Sequence, residues 1–342
     1  MSDIDKNVTL LKCFFEDLVA VEEVPIGHIN KTYLVKTGDS RVVAQVINSK
    51  VFNIRAVANN LELIHRAYLK HAMFSELIPA YLPYRGSVVC FDKLGQAWKF
   101  TEYLENSVCR QYPNSENEAF MAGCTLSKFH EAALSLPTMR FRKPIPGFFA
   151  PFRRIKAFKR ALNIGSADRV RLVKKEVDRL ERLNQELKVF FRLLPFSKKF
   201  ICHYDTKFEN FLVCPQKTYL VDHDLVQVGF HSYDVGDFLR TVCFKGNEDD
   251  PKAVEIDKLY LESAVDGLRS ISYSEKFQDS TDLFAYAPCA ITYILCLRFM
   301  TDFLEGDQYF RIHYAEQNFF RGLCQLFRAE QLLNARKLIS IL

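Results

Sequence analysis

The chain has 342 residues, of which 49% are apolar, and a formal net charge of +5. That length buries a sizeable core without staples and suits one large two-lobed domain or two small ones. The ten cysteines include no C-x-x-C pair and no metal-ligand spacing; with no secretory signal at the start, free thiols in a reducing cytoplasm are expected.

The charge is uneven. Between Thr138 and Arg182, fourteen Lys or Arg meet four acids, a local +10, which leaves −5 for the rest. A basic patch can hold nucleic acid or a membrane surface. No nucleic-acid motif accompanies this one, so it reads as a solvated helix face, with no nucleic acid or membrane as partner. Leu283 to Leu297 is the longest uncharged run. It is shorter than the ~20 residues that span a bilayer, and it reads as a buried helix.

In chain order, the first eighteen residues suggest a short amphipathic helix. Val24 to Glu105 reads as a small β-rich lobe. Thr32 to Lys36 and Arg41 to Ile47 flank Gly38-Asp39-Ser40 and pair as a hairpin. Asn53 to Tyr68 is helical by the spacing of Val57, Leu61, Ile64 and Tyr68. Ser87 to Phe91 and Ala97 to Tyr103 are two further strands, and a hinge is placed at Glu102-Tyr103-Leu104-Glu105. From Asn117 the chain turns mainly helical, with Ala119, Ala122, Leu126, Phe129 and Ala133 on one face. His130 on that helix reads as a core residue rather than a ligand. Arg140 to Ala150 is a loop. Val173, Val177, Leu180, Leu187, Phe190 and Leu194 predict one long helix that Pro195 ends. Three helical stretches close the chain, at Lys252–Ile271, Asp282–Leu304 and Tyr309–Leu338.

Between those halves lies the most informative stretch, Ile201 to Arg240. The apolar run Phe200–Cys202 ends at His203 and Asp205. Two more runs, Phe211–Val213 and Tyr219–Val221, surround a Pro215-Gln216-Lys217 turn and predict a hairpin. Asp205, Asn210 and Asp222 therefore stand at strand ends, where loops carry function on a rigid base. Phosphoryl transfer needs a carboxylate to take the hydroxyl proton, which suits Asp205. It also needs hard oxygen ligands for Mg²⁺, which suits Asn210 and Asp222.

The spacing H-x-D-x-x-x-x-N followed by a carboxylate resembles the catalytic loop and metal-binding Asp of protein kinases and their small-molecule relatives. Within the aminoglycoside phosphotransferase and choline kinase superfamily, the chain looks most like the N-acetylhexosamine 1-kinases. The matching residues are His203, Asp205, Thr206, Lys207 and Asn210, then Asp222 and Asp224, then Tyr233, Asp234, Gly236, Asp237 and Arg240. Flanking likenesses run through Gly27-His28-Ile29-Asn30 with Thr32 and Tyr33, through Gln45, Ile47, Asn48, Val51 and Phe52, and through Arg298 to Phe310.

The resemblance implies an α+β, protein-kinase-like two-lobed fold. Its small β-rich nucleotide-binding lobe spans residues 1–105, and its large, mainly helical catalytic and substrate-binding lobe spans 106–342. It implies ATP and Mg²⁺ as cofactors and a small-molecule acceptor, here an amino sugar phosphorylated at the anomeric hydroxyl by a cytoplasmic enzyme. Asp205, His203 and Lys207 are the catalytic candidates. Asn210 and Asp222 are the metal ligands. Gly27, His28, Asn30, Gln45, Glu102 and Tyr103 are placed at the nucleotide. Asp205, Asp224, Arg298 and Tyr309 are placed at the acceptor, and Asp234 braces the catalytic loop.

One position departs from the protein-kinase pattern. Where V-A-I-K would carry a phosphate-binding lysine, the chain reads Val43-Ala44-Gln45-Val46. Gln45 brings no charge. The charge must come from Mg²⁺ or another basic side chain. Lys207 is one candidate, and a solvated loop lysine is its other reading. Glu62, on the helix that would hold the missing lysine, is expected at the surface. Arg298 sits in an apolar helix, so a partner is required: either Asp302 at i+4, or the acceptor itself with Tyr309 beside it. The rival functions are a choline- or aminoglycoside-type kinase and a nucleotide-binding pseudokinase that scaffolds partners.

Overall fold

The computed structural model describes residues 3–24, 29–38, 40–270 and 281–340. Its N-terminal part is one antiparallel sheet of β1 (Ala20–Val24), β2 (Lys31–Lys36), β3 (Arg41–Ile47), β4 (Val89–Phe91) and β5 (Ala97–Glu102), in the order β1-β2-β3-β5-β4. Strand alternation sorts its side chains. Tyr33, Val35, Val42, Ala44, Trp98 and Phe100 face one way and form a small core with Leu10 and Leu11 of α1 (Asp3–Leu11). Thr32, Leu34, Val43, Gln45, Lys99 and Thr101 have the opposite parity and line a cleft. α2 (Ile54–Lys70) begins where the Asn53 side chain accepts from the Ala56 N–H. It packs with α3 (Ala72–Leu77) against the larger, C-terminal core through Val57, Leu61, Ile64 and Phe74.

The C-terminal part opens with α4 (Glu116–Ala133), capped by Ser115, followed by α5 (Pro151–Ile164). The single long helix expected next is three: α6 (Ala167–Lys174), α7 (Val177–Glu186) and α8 (Lys188–Leu193). The apolar residues still point inward, with Val173, Leu180, Leu187 and Phe190 all buried. The first break falls beside Glu176, which Arg179 holds while also gripping Glu330. A pattern of apolar spacings cannot register that tertiary ion pair. Other cations of the basic segment are tied down too: Lys159 pairs with Glu181 and Arg169 with Asp307.

Two small ladders follow. β6 (Phe200–Cys202) pairs with β9 (Gln227–Gly229), and β7 (Phe211–Val213) pairs with β8 (Thr218–Leu220), the predicted hairpin. Then come α9 (His231–Val242), α10 (Lys258–Leu268), α11 (Thr281–Leu304) and α12 (Gln317–Ile339). α11 is long and apolar enough to cross a bilayer by length and composition, yet 83% of its most apolar window is buried in the protein. It packs on α12, α9 and α5. A Cβ on Gly236 would stand 2.8 Å from the Ala287 backbone, so α9 lies directly on α11 only because residue 236 is glycine. The last helix starts at Gln317, not at Tyr309 as expected. The Asp302 carboxylate accepts from the backbone N–H groups of Gln308, Tyr309 and Phe310 and holds that stretch in a turn. All ten cysteines are free thiols.

Candidate active site

The cleft between the sheet and the helical part encloses about 290 Å³. Asn30, Gln45, Lys99, Glu102 and Tyr103 line it from the first lobe, and Asp205, Lys207, Asn210, Asp222 and Asp224 from the second. Nearly all the residues expected at nucleotide, metal and catalysis therefore meet in one place. Gly27 and His28 lie outside the described residues.

The loop that carries His203 and Asp205 is held from below by Asp234, at the first turn of α9. One of its oxygens accepts from the His203 N–H at 2.6 Å, the other from the Tyr204 N–H at 2.8 Å. The ring of His130, fully buried on α4, stands 2.9 Å from the same carboxylate. Burial pushes the Asp234 pKa up to about 6 despite His203 and these backbone donors. Burial and the neighbouring His203 push His130 down to about 3. His130 is thus a neutral core residue. The bracing holds Tyr204 at φ 68°, in the left-handed region that a bulky side chain rarely adopts. The Tyr204 ring lies where a Cβ on Gly229 would be, 2.0 Å away, so only glycine admits it.

His203 serves the loop rather than the cleft. Its side chain is fully buried and does not line the cleft. Nδ1 faces the Asp205 N–H at 3.3 Å and Nε2 faces the Val221 carbonyl at 3.0 Å. A neutral ring protonated on Nε2 serves both contacts. His203 ties the loop to the strand end before Asp222 and is a positioning residue rather than a catalytic one.

Asp205 presents a carboxylate that is 22% exposed to the cleft. Asn210 donates to its backbone oxygen at 2.7 Å and to Oδ2 at 2.8 Å. Lys207 stands 3.7 Å from Asp205 and 3.5 Å from Glu209. Asp205 beside it raises the Lys207 pKa, against the opposing effect of burial and with Glu209 adding. Lys207 is therefore a fixed cation beside the Asp205 carboxylate.

Asp222 adopts φ 62°, a left-handed turn that aims its side chain into the cleft, 30% exposed. Burial alone would raise its pKa, but Lys99 and Lys207 hold it below the usual carboxylate value. Asp224 is nearly inaccessible. One of its oxygens is gripped by Lys99, and the other accepts from Asn30 at 2.6 Å. Both of its oxygens thus already have a partner within the protein. Asp222 Oδ2 and Asn210 Oδ1 make no hydrogen bond among the described residues. Hard oxygens facing a cleft fit a small divalent cation that keeps waters and phosphate as its remaining ligands.

Lys99 is the residue that the sequence reading missed. It sits in β5 between Trp98 and Phe100, its side chain is 2% exposed, and its ammonium bridges Asp222 at 3.1 Å and Asp224. Burial disfavours its charge, but the two carboxylates outweigh that and raise its pKa. The one available signal was a lysine between Trp98 and Phe100 inside a strand. Glu62 is turned outward to Arg66 at 3.0 Å, as expected of a surface residue.

Residues 20–266 match the profile of the Phosphotransferase enzyme family (APH). The chain belongs to that family. Solved structures show that its fold is the protein-kinase-like one. The aminoglycoside phosphotransferase of Alicyclobacillus acidocaldarius is similar, at 15% identity and a TM-score of 0.65, with 98% of this chain and 96% of that one covered. Spectinomycin phosphotransferase in complex with ADP and spectinomycin is similar at 13% identity and a TM-score of 0.65, over 96% and 98% of the two chains. A choline/ethanolamine kinase family protein of Mesorhizobium loti is similar at 14% identity and a TM-score of 0.59, over 99% and 98%.

This phosphotransferase keeps Arg298 and Tyr309 apart from the cleft lining. Arg298 lies over the rings of Phe148, Tyr309 and Phe310 at 5.7, 5.6 and 5.3 Å, with its Nη2 3.5 Å from the Tyr309 hydroxyl. Asp302 is not its partner, since that carboxylate is spent on the turn and on Asn318. Burial lowers the Arg298 pKa, and Arg154 nearby pushes the same way against Tyr309. The cluster adjoins the catalytic loop through Phe149, which neighbours Phe148 and packs on Tyr204.

Proposed function

We propose that the protein transfers the terminal phosphoryl group of ATP to a small-molecule hydroxyl, with the anomeric hydroxyl of an N-acetylhexosamine as acceptor. The convergence of Asp205, Asn210, Asp222 and two lysines in one interlobe cleft carries the first half of this reading. Asp205 orients the acceptor hydroxyl and takes its proton. Asn210 keeps the Asp205 carboxylate in one rotamer and, with Asp222, offers oxygens to Mg²⁺, which would neutralise phosphate charge when bound. Lys207 faces the group in transit. Glu102, Tyr103 and Leu104 line the cleft, which suits a hinge wall between lobes divided near residue 105.

The acceptor half is supported by the motif likeness from Arg298 to Phe310 and by local charge. A cationic acceptor such as choline or an aminoglycoside needs acids and aromatics around it. Here the rings surround an arginine, Arg154 lies near it, and Arg240 is taken up by Asp237 at 2.6 Å. Directed hydrogen bonds to sugar hydroxyls or an acyl oxygen suit that setting better. Free thiols agree with a reducing cytoplasm.

An acceptor panel with ATP consumption as readout tests the reading. The expected result is preference for N-acetylglucosamine or N-acetylgalactosamine. Preference for choline, homoserine or an aminoglycoside would overturn the sugar assignment. Nucleotide binding without turnover on any acceptor would favour a scaffold.

A further inference from the structure

Thr32, Gln45 and Lys99 form one row across the sheet. Thr32 pairs with Gln45 in the β2–β3 register, and Gln45 pairs with Lys99 in the β3–β5 register. Directly opposed residues on adjacent antiparallel strands share a face, with Cβ atoms about 4.5–5.5 Å apart. Side chains at 45 and 99 therefore enter the same part of the cleft, and both line it. Gln45 is engaged sideways, its amide donating to the Thr32 hydroxyl at 3.1 Å. The helix that would anchor a lysine at position 45 supplies no carboxylate, since Glu62 is paired at the surface. Position 99 has two carboxylates waiting, Asp222 and Asp224.

We propose that Lys99 is the phosphate-gripping lysine of this enzyme, displaced by one strand from the position that Gln45 occupies. The assignment rests on the phosphotransferase reading above. Without nucleotide, Lys99 neutralises the cleft-facing Asp222 and the buried Asp224, which would otherwise be two adjacent unpaired carboxylates. With nucleotide and its cation in place, Asp222 no longer needs the ammonium. Lys99 then keeps Asp224 and turns to a phosphate oxygen. Asn30 steadies the other Asp224 oxygen and accepts from the Asn48 N–H at 3.1 Å, which joins this row to the chain beyond β3.

The test measures binding of ATP and of adenosine separately by calorimetry in the full chain, together with turnover. A charge-assisted contact to phosphate is worth a factor of about ten or more in affinity. Lys99→Gln should weaken ATP by at least that factor and leave adenosine within about twofold. The double variant Gln45→Lys/Lys99→Gln returns the ammonium to the same space and the same carboxylates. It should recover most of the ATP affinity and measurable turnover, which also covers the case in which Lys99→Gln alone folds poorly. Lys99→Gln binding ATP as the wild type does would overturn the proposal. So would equal losses of ATP and adenosine that the double variant does not restore, because Lys99 would then be only a structural ion-pair partner. A wild type that binds no nucleotide would instead overturn the phosphotransferase reading, and this assignment with it.

Discussion

Replacing Asp234 with alanine strands three donors at once: the His203 and Tyr204 N–H groups and the His130 ring. All three lie in fully or nearly fully buried residues. At about 1–3 kcal/mol for each unsatisfied group, the loss is roughly 6 kcal/mol. Part of it is returned. The buried carboxyl, with its pKa pushed up to about 6, disfavours the native state at pH 7 by about 3 kcal/mol relative to a carboxyl that is protonated. The net expectation for Asp234→Ala at pH 7 is about 3 kcal/mol of destabilisation. Because a raised carboxyl pKa costs the wild type stability as pH rises through 4 to 6, the deficit of the variant should be larger at pH 5, by about 1.4 kcal/mol. Urea unfolding at both pH values measures this. The same variant should lose kcat far more than ATP affinity, since Tyr204 is no longer held at positive φ and Asp205 follows it. A loss below about 1 kcal/mol, or a wild-type kcat, would show that the loop does not depend on this brace.

Asp205→Asn should lower kcat about 10²–10⁴-fold with ATP binding nearly intact, and near-normal turnover in a stopped-time assay would remove Asp205 from the proton-accepting role. Arg298→Ala should raise KM for the acceptor about tenfold or more while leaving KM for ATP nearly unchanged; an unchanged acceptor KM would detach the aromatic–arginine cluster from substrate. His130, His203, His223 and His231 are buried with pKa values lowered by that burial. The stability that neutral histidines provide is present above about pH 6.5 and lost below it, at up to about 5 kcal/mol per pH unit for the four, partly opposed by Asp234. Melting temperatures at pH 7.5, 6.5 and 5.5 should fall steeply, and a flat profile would contradict their burial as neutral rings.

Local sequence determined the elements whose causes are local. The β2–β3 hairpin, the Asn53-capped helix and the β7–β8 hairpin follow from alternation, capping and turn chemistry within a few residues. The spacing of Asp205, Asn210 and Asp222 picked out side chains that the structure brings to one cleft. Features set by distant partners were not legible. At the helix break, Glu176 is held by Arg179, which also grips Glu330, more than a hundred residues away. The turn at Gln308–Phe310 depends on a carboxylate pointing back at the backbone rather than on propensity. The same carboxylate, once committed, left Arg298 to aromatic rings instead of the acid four residues along. Lys99 is the clearest case. A lysine between Trp98 and Phe100 gives no sign of its partner, because the charge that stabilises it comes from Asp222 and Asp224, in another lobe. Strand register, which no single strand encodes, set it opposite Gln45 and so decided where the cleft keeps one of its two lysines.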